Sequence, residues 1–118
     1  MVDDSLSATF AALADPTRRS ILARLAEGEA TVKELAAPHA MSLPSVSRHL
    51  SVLEKAGLVV KSRNAQWRHC RLEIGPLLEL DKWMEPYRAF QARLDRLEEH
   101  LKTMMRDREA GGPAGADG

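Results

Sequence analysis

The chain has 118 residues, which is enough for one domain with a single modest core. Its composition, 44% hydrophobic and 29% charged, excludes extensive disorder. Aromatic residues make up only 4%, which argues against a large aromatic-lined ligand cavity, and the net charge at pH 7 is zero.

Two helices are predicted before residue 28. The first covers 6–13, where apolar side chains recur at helical spacing. The second begins at Pro16, because Asp15 is a good N-cap and proline suits the first helical position. It runs to about Ala26, and Gly28 provides a stop signal.

Two further helices are predicted between residues 31 and 57. Thr31 and Glu34 have the spacing of a capping box, in which each side chain satisfies a free backbone amide of the other residue. A short third helix follows them. Ser42 is the N-cap candidate of a fourth helix over 43–56, and its apolar side chains lie on one face. These apolar residues are Val46, Leu50 and Leu53.

The pattern then changes from helical to strand-like. Residues 58–62 and 67–74 are predicted to be strands, and the polar turn 63–66 joins them into a β-hairpin. The predicted fold class is mainly α with a small β-hairpin, arranged as a winged helix-turn-helix.

A last helix is predicted from Leu77 to about Met105, with a kink or restart at Pro86. Its apolar residues alternate at spacings of three and four, which is the heptad pattern of a helix with a helical partner. They are Leu80, Trp83, Tyr87, Phe90, Leu94, Leu97, Leu101 and Met104. Self-association of two chains through these terminal helices explains the pattern most economically; packing within one chain is the alternative.

The sequence therefore predicts three parts. Residues 1–75 form a winged helix-turn-helix DNA-binding region, and 76–105 form the dimerisation helix of the same domain. Residues 106–118 are rich in glycine and alanine, and we expect a disordered tail there.

Charge is concentrated in the middle of the chain. Residues 42–71 carry six basic side chains and one acidic side chain, whereas both flanking parts are net acidic. DNA responds to the local field at the contact surface, so this block favours a nucleic-acid interface despite the neutral total. A solvated charged face is the alternative.

The fourth helix is the predicted recognition helix, which would contact the bases of DNA. Small hydroxyl residues near its N-terminus let the backbone approach DNA, and its free amides favour phosphate. Arg48 is the side chain that is able to bond guanine through two hydrogen bonds. The candidate DNA-binding residues here are Ser42, Ser45, Ser47, Arg48 and His49.

The hairpin supplies the second set of candidates. Basic and polar side chains surround its turn. In a winged helix-turn-helix this hairpin is the wing, and its turn reaches phosphates or the minor groove. The candidate DNA-binding residues here are Lys61, Arg63, Asn64, Gln66 and Arg68. A charged edge that prevents aggregation is compatible with the same pattern.

Three segments of the chain resemble the ArsR-type (arsenic-repressor-like) winged-helix regulators. They are ALADPTRRSIL at 12–22, MSLPSVSRHLSVLEKAGLV at 41–59 and KSRNAQWRHCRLE at 61–73. The resemblance implies a homodimeric repressor that binds double-stranded DNA at a near-palindromic operator, often in its own promoter. Leu43 departs from the pattern, because a polar residue such as glutamine is common at that position.

Metal sensing is not expected, although many members of the resembled family sense metals. The helix before the recognition helix has no thiol, and the acidic and histidine residues of the last helix lack the required spacing. We therefore predict no metal, no cofactor and a non-metal-sensing branch, with the inducer unidentified.

The remaining expectations concern Cys70 and the class of protein. The single cysteine fits a reducing cytosol, so we expect a cytoplasmic protein without a membrane segment. A lone cysteine on a strand is typically a small core residue, although basic neighbours would lower its pKa and favour redox sensing. An enzyme is not expected, because phosphate-binding and nucleophile motifs are missing. The alternative function is a dimeric protein-interaction module of winged-helix fold that has lost DNA binding.

Overall fold

The computed structural model describes residues 4–62 and 69–117, and it describes side-chain surroundings up to residue 110. The chain divides into two compact units, Met1–Lys82 and Trp83–Gly118. The helices are α1 (Ser5–Leu13), α2 (Pro16–Leu25), α3 (Val32–Ala36), α4 (Leu43–Lys55), α5 (Gly75–Trp83) and α6 (Glu85–Asp117). The strands are β1 (Ala30–Thr31), β2 (Val59–Lys61) and β3 (His69–Leu72).

The first four helices begin at capping side chains. In each case the side chain of the N-cap accepts a hydrogen bond from the backbone N–H three residues later, which satisfies one of the free amides of the first turn. The N-caps are Asp4, Asp15, Thr31 and Ser42. The last three confirm the predicted helix starts, and Thr31 and Glu34 form the predicted capping box.

The sheet has three antiparallel strands in the order β1-β3-β2. Val60 of β2 lies opposite Arg71 of β3, which confirms the predicted hairpin. Ala30 of β1 lies opposite Cys70 on the other side of β3. The sequence did not predict β1, because a strand of two residues is too short to show an alternating pattern.

One hydrophobic core holds the first unit together, and helices and strands both contribute to it. Its fully buried members include Ile21 from α2, Leu35 from α3 and Leu50 from α4. Cys70 is also buried there, and burial raises the pKa of its thiol. The basic neighbours therefore do not make Cys70 a reactive thiolate, and the residue belongs to the core.

Gly57 connects α4 to the sheet. Its φ of 79° lies in the left-handed region, where glycine pays no steric penalty. The N–H of Gly57 donates to the carbonyl of Glu54 at 3.0 Å, and the N–H of Leu58 donates to that of Leu53 at 2.9 Å. The chain thus turns directly from the end of α4 into β2, and the hairpin follows the helix without a linker.

The C-terminal helical region differs from its prediction at both ends. One helix was predicted from Leu77 to Met105, whereas α5 starts at Gly75 and a separate α6 starts at Glu85. Pro86 lies in the first turn of α6, where its missing N–H costs no helical hydrogen bond, so it restarts the helix as predicted.

The far end of α6 reaches Asp117, where the sequence predicted a disordered tail over 106–118. Residues 106–110 read RDREA, and all are compatible with helix. Once a helix is nucleated, adding such residues costs little, so the helix continues beyond Met105.

Candidate nucleic-acid interface

Helix α4 has one buried face and one exposed face. Val46, Leu50 and Leu53 point into the core and are fully buried, as the sequence predicted. Ser42 and Arg48 lie on the exposed side. The core therefore fixes the rotation of α4, and this rotation presents the predicted polar residues to solvent.

A chain of hydrogen bonds links three side chains on this exposed side. The hydroxyl of Ser42 donates to Oγ of Ser45 at 3.1 Å, and the guanidinium of Arg48 donates to the same oxygen at 3.2 Å. Because these residues are three positions apart, they lie above one another on the helix. Arg48 is thus held along the helix toward the N-terminus of α4, and within the described ranges its other N–H groups make no further hydrogen bond.

Ser45 and the other two candidates on α4, Ser47 and His49, are half-buried. Nδ1 of His49 lies 3.3 Å from Nη1 of Arg18 and 3.9 Å from a carboxylate oxygen of Asp15. The Nδ1 side of His49 therefore faces α2, and this nitrogen is not offered to a ligand.

Arg18 is a site residue that the sequence reasoning missed. It connects three parts of the first unit, because its Nε donates to the carbonyl of Ala12 at 2.7 Å and its Nη1 meets His49. The backbone hydrogen bond from Arg18 and the charges of His49 and Arg18 lower the pKa of Asp15. A positive charge in the first turn of a helix opposes the helix dipole, and that unfavourable position was the available signal.

Lys61 is paired rather than free. Its Nζ lies 3.6 Å from Oε1 of Glu54, and only 22% of its side chain is exposed. Glu54 is the one acidic residue of the basic block 42–71, so the pair removes part of the field at the base of the hairpin. This pairing weakens the case for Lys61 as a phosphate contact.

The tip of the hairpin lies outside the described residues. The candidates Arg63, Asn64, Gln66 and Arg68 all fall within 63–68, and their assignment as DNA-binding residues stays a prediction. In the adjoining strand β3, Arg71 is exposed and adds a positive charge beside the hairpin.

The second unit carries a stripe of exposed apolar side chains, which we call the α6 stripe. Its members are Tyr87, Phe90, Leu94, Leu97, Leu101 and Met104, and each is 43–54% exposed in the single chain. Trp83, in the same unit, is 43% exposed, and its ring centroid lies 5.0 Å from that of Tyr87. Leu80 belongs to the first unit and is half-buried.

The exposure of the stripe bears on its predicted role. A continuous stripe of exposed apolar side chains along a helix usually marks an interface. The assignment of these residues to a dimer interface stays a prediction, and their shared exposure supports it.

Within 4–62 and 69–117, no three or more histidine, cysteine, aspartate or glutamate side chains are grouped so that they would hold a metal ion. No helix in the same ranges combines the length and apolarity needed to span a membrane.

The sequence has clear relatives. The helix-turn-helix domain family matches residues 13–62. The chain is 36% identical over 75 residues to the transcriptional repressor SdpR of Bacillus subtilis (strain 168), which is 64% of this chain and 83% of that protein. It spans about half the length of several other curated relatives.

Solved structures agree with this relationship. The crystal structure of an ArsR family transcriptional regulator matches with a TM-score of 0.70 and 38% identity, covering 75% of this chain and 98% of that one. The solution structure of the homodimeric winged helix-turn-helix DNA-binding domain of Mb0332 from Mycobacterium bovis matches with a TM-score of 0.56 and 29% identity. That match covers 82% of this chain and 84% of the other.

Proposed function

The chain belongs to the ArsR family of winged helix-turn-helix transcriptional regulators, and from this premise we propose that it represses transcription by binding a near-palindromic DNA operator as a homodimer. The family consists of DNA-binding regulators and not of enzymes. The chromosome is the site of this activity, so the proposal places the protein in the cytoplasm.

The exposed side of α4 carries this proposal. Ser42, Ser45 and Arg48 are joined in one hydrogen-bonded chain on the side opposite the buried leucines. In the proposed complex α4 enters the major groove with its N-terminal half foremost. Arg48 then bonds O6 and N7 of a guanine, and the serine hydroxyls bond phosphate or base edges.

The α6 stripe supplies the second half of the proposal. A two-fold dimer buries the same surface of both chains, so it would pair the α6 stripe of one chain with the α6 stripe of the other. A dimer presents two copies of α4, which fit successive major grooves when they are about 34–36 Å apart. Occupancy of such an operator near a promoter blocks RNA polymerase.

A salt titration tests this function. The full chain is titrated against the DNA upstream of its own gene, with a scrambled duplex of equal composition as the control. We expect a specific complex whose affinity falls by about 10³- to 10⁵-fold between 50 and 200 mM salt, if six to ten phosphates are contacted. The scrambled duplex is expected to bind at least about 10³-fold more weakly.

Equal affinity for both duplexes means that the chain has no operator in this DNA. The absence of binding to either duplex, with the chain folded and dimeric, contradicts the proposal. That outcome favours the protein-interaction module instead.

A further inference from the structure

Leu43 is an apolar side chain exposed at the start of the helix that is proposed to read DNA. It occupies the first position of α4, and 43% of it is exposed. We propose that Leu43 determines operator specificity by contacting the C5-methyl group of a thymine in the major groove. This inference rests on the function proposed above and adds a base preference to it.

The two residues that flank Leu43 are Ser42, whose hydroxyl is turned toward Ser45, and Pro44. Oγ of Ser42 accepts the N–H of Ser45 at 3.3 Å and donates to Oγ of Ser45 at 3.1 Å. Pro44 has no backbone N–H. Neither neighbour places a polar side chain over Leu43, so Leu43 offers an apolar surface to the base that lies opposite it.

The floor of the major groove displays one apolar group, the methyl of thymine. Contact with a leucine removes both groups from water, which is worth about fourfold in affinity for each methyl group buried. Adenine, guanine and cytosine lack this methyl group, so placing Leu43 against them brings no such gain. A leucine at this position therefore favours thymine over the other bases.

A single exposed apolar residue is common on protein surfaces. Val52 of the same helix is a matched control for an exposed apolar residue without a role in binding. It is 39% exposed and lies nine residues nearer the C-terminus. In the proposed complex the N-terminal half of α4 enters the groove, so only Leu43 has a base to contact.

Uracil substitution tests the proposal with a change of one methyl group. The specific duplex from the salt titration is prepared with each thymine replaced by uracil, in both half-sites together. We expect one position at which the substitution weakens binding of the unchanged chain by about 4- to 16-fold, for one methyl in each half-site. Leu43→Ala is expected to bind the thymine and uracil duplexes equally, whereas Leu43→Met and Val52→Ala keep the difference.

The outcomes separate this proposal from the function on which it rests. If the unchanged chain has no specific duplex, both proposals fail together. If specific binding is found but no uracil substitution weakens it, only the role of Leu43 is overturned. The same holds if Leu43→Ala keeps the full thymine preference, since another residue then reads the methyl. Thermal unfolding of each variant confirms that it is folded.

Discussion

Replacing Arg48 with alanine is expected to weaken binding to the specific duplex by about 1–3 kcal/mol and to relax the preference at one base pair in each half-site. Binding to the scrambled duplex should change little. The reason is the geometry of Arg48, which is exposed on α4 and supported by Ser45 at 3.2 Å. A supported guanidinium loses little freedom when it bonds guanine.

Two further variants separate the effect of the bidentate hydrogen bond of Arg48 from the effect of its charge. Arg48→Lys keeps the charge but loses the planar fork, so we expect it to behave nearly like Arg48→Ala at the specific duplex. Lys55→Ala removes one positive charge from the other end of α4 and is expected to preserve base preference. Competition titrations with duplexes changed at each base pair measure both effects. Equal losses on specific and scrambled DNA would show that Arg48 contacts only phosphate.

Replacing Leu94 with aspartate is expected to separate the dimer. Leu94 lies in the middle of the α6 stripe, so two-fold symmetry places two new carboxylates in the interface. The loss of buried leucine alone is about 1.5–3 kcal/mol for each chain. We therefore expect the dimer dissociation constant to rise by about 10²- to 10⁴-fold, and the carboxylates raise it further.

Ala92→Asp is the matched control for this substitution. Ala92 lies two residues before Leu94 and therefore on the opposite side of α6, outside the heptad positions. It introduces the same charge into the same helix and is expected to leave the dimer intact. Sedimentation velocity at micromolar concentration shows whether each variant is a monomer or a dimer. A Leu94→Asp chain that sediments like the unchanged protein would rule out the stripe as the interface.

Local signals in the sequence predicted most of the fold. The caps at Asp15, Thr31 and Ser42 need only a side chain and an amide three residues away, so short patterns reveal them. The same is true of the buried face of α4. The two-residue strand β1 carries no pattern of its own, because its partner β3 lies about 40 residues further on and determines the pairing.

The candidate site was predicted less completely for a related reason. The exposed positions of α4 follow from its periodicity, and the structure places Ser42 and Arg48 there. The contacts of Arg18 with His49 and of Lys61 with Glu54 join residues from different elements. Such pairs depend on how the elements pack, which no local pattern encodes, so the partial burial of His49 and Lys61 was not foreseen.

Hydroxyl-radical footprinting of the upstream duplex, together with the number of chains bound at saturation, tests whether two copies of α4 read DNA as a symmetric pair. A symmetric pair of α4 helices gives two chains per duplex and two equivalent protected stretches whose centres are about 34–36 Å apart along the helix axis. One chain per duplex with a single protected stretch would contradict it, as would uniform protection of the whole fragment.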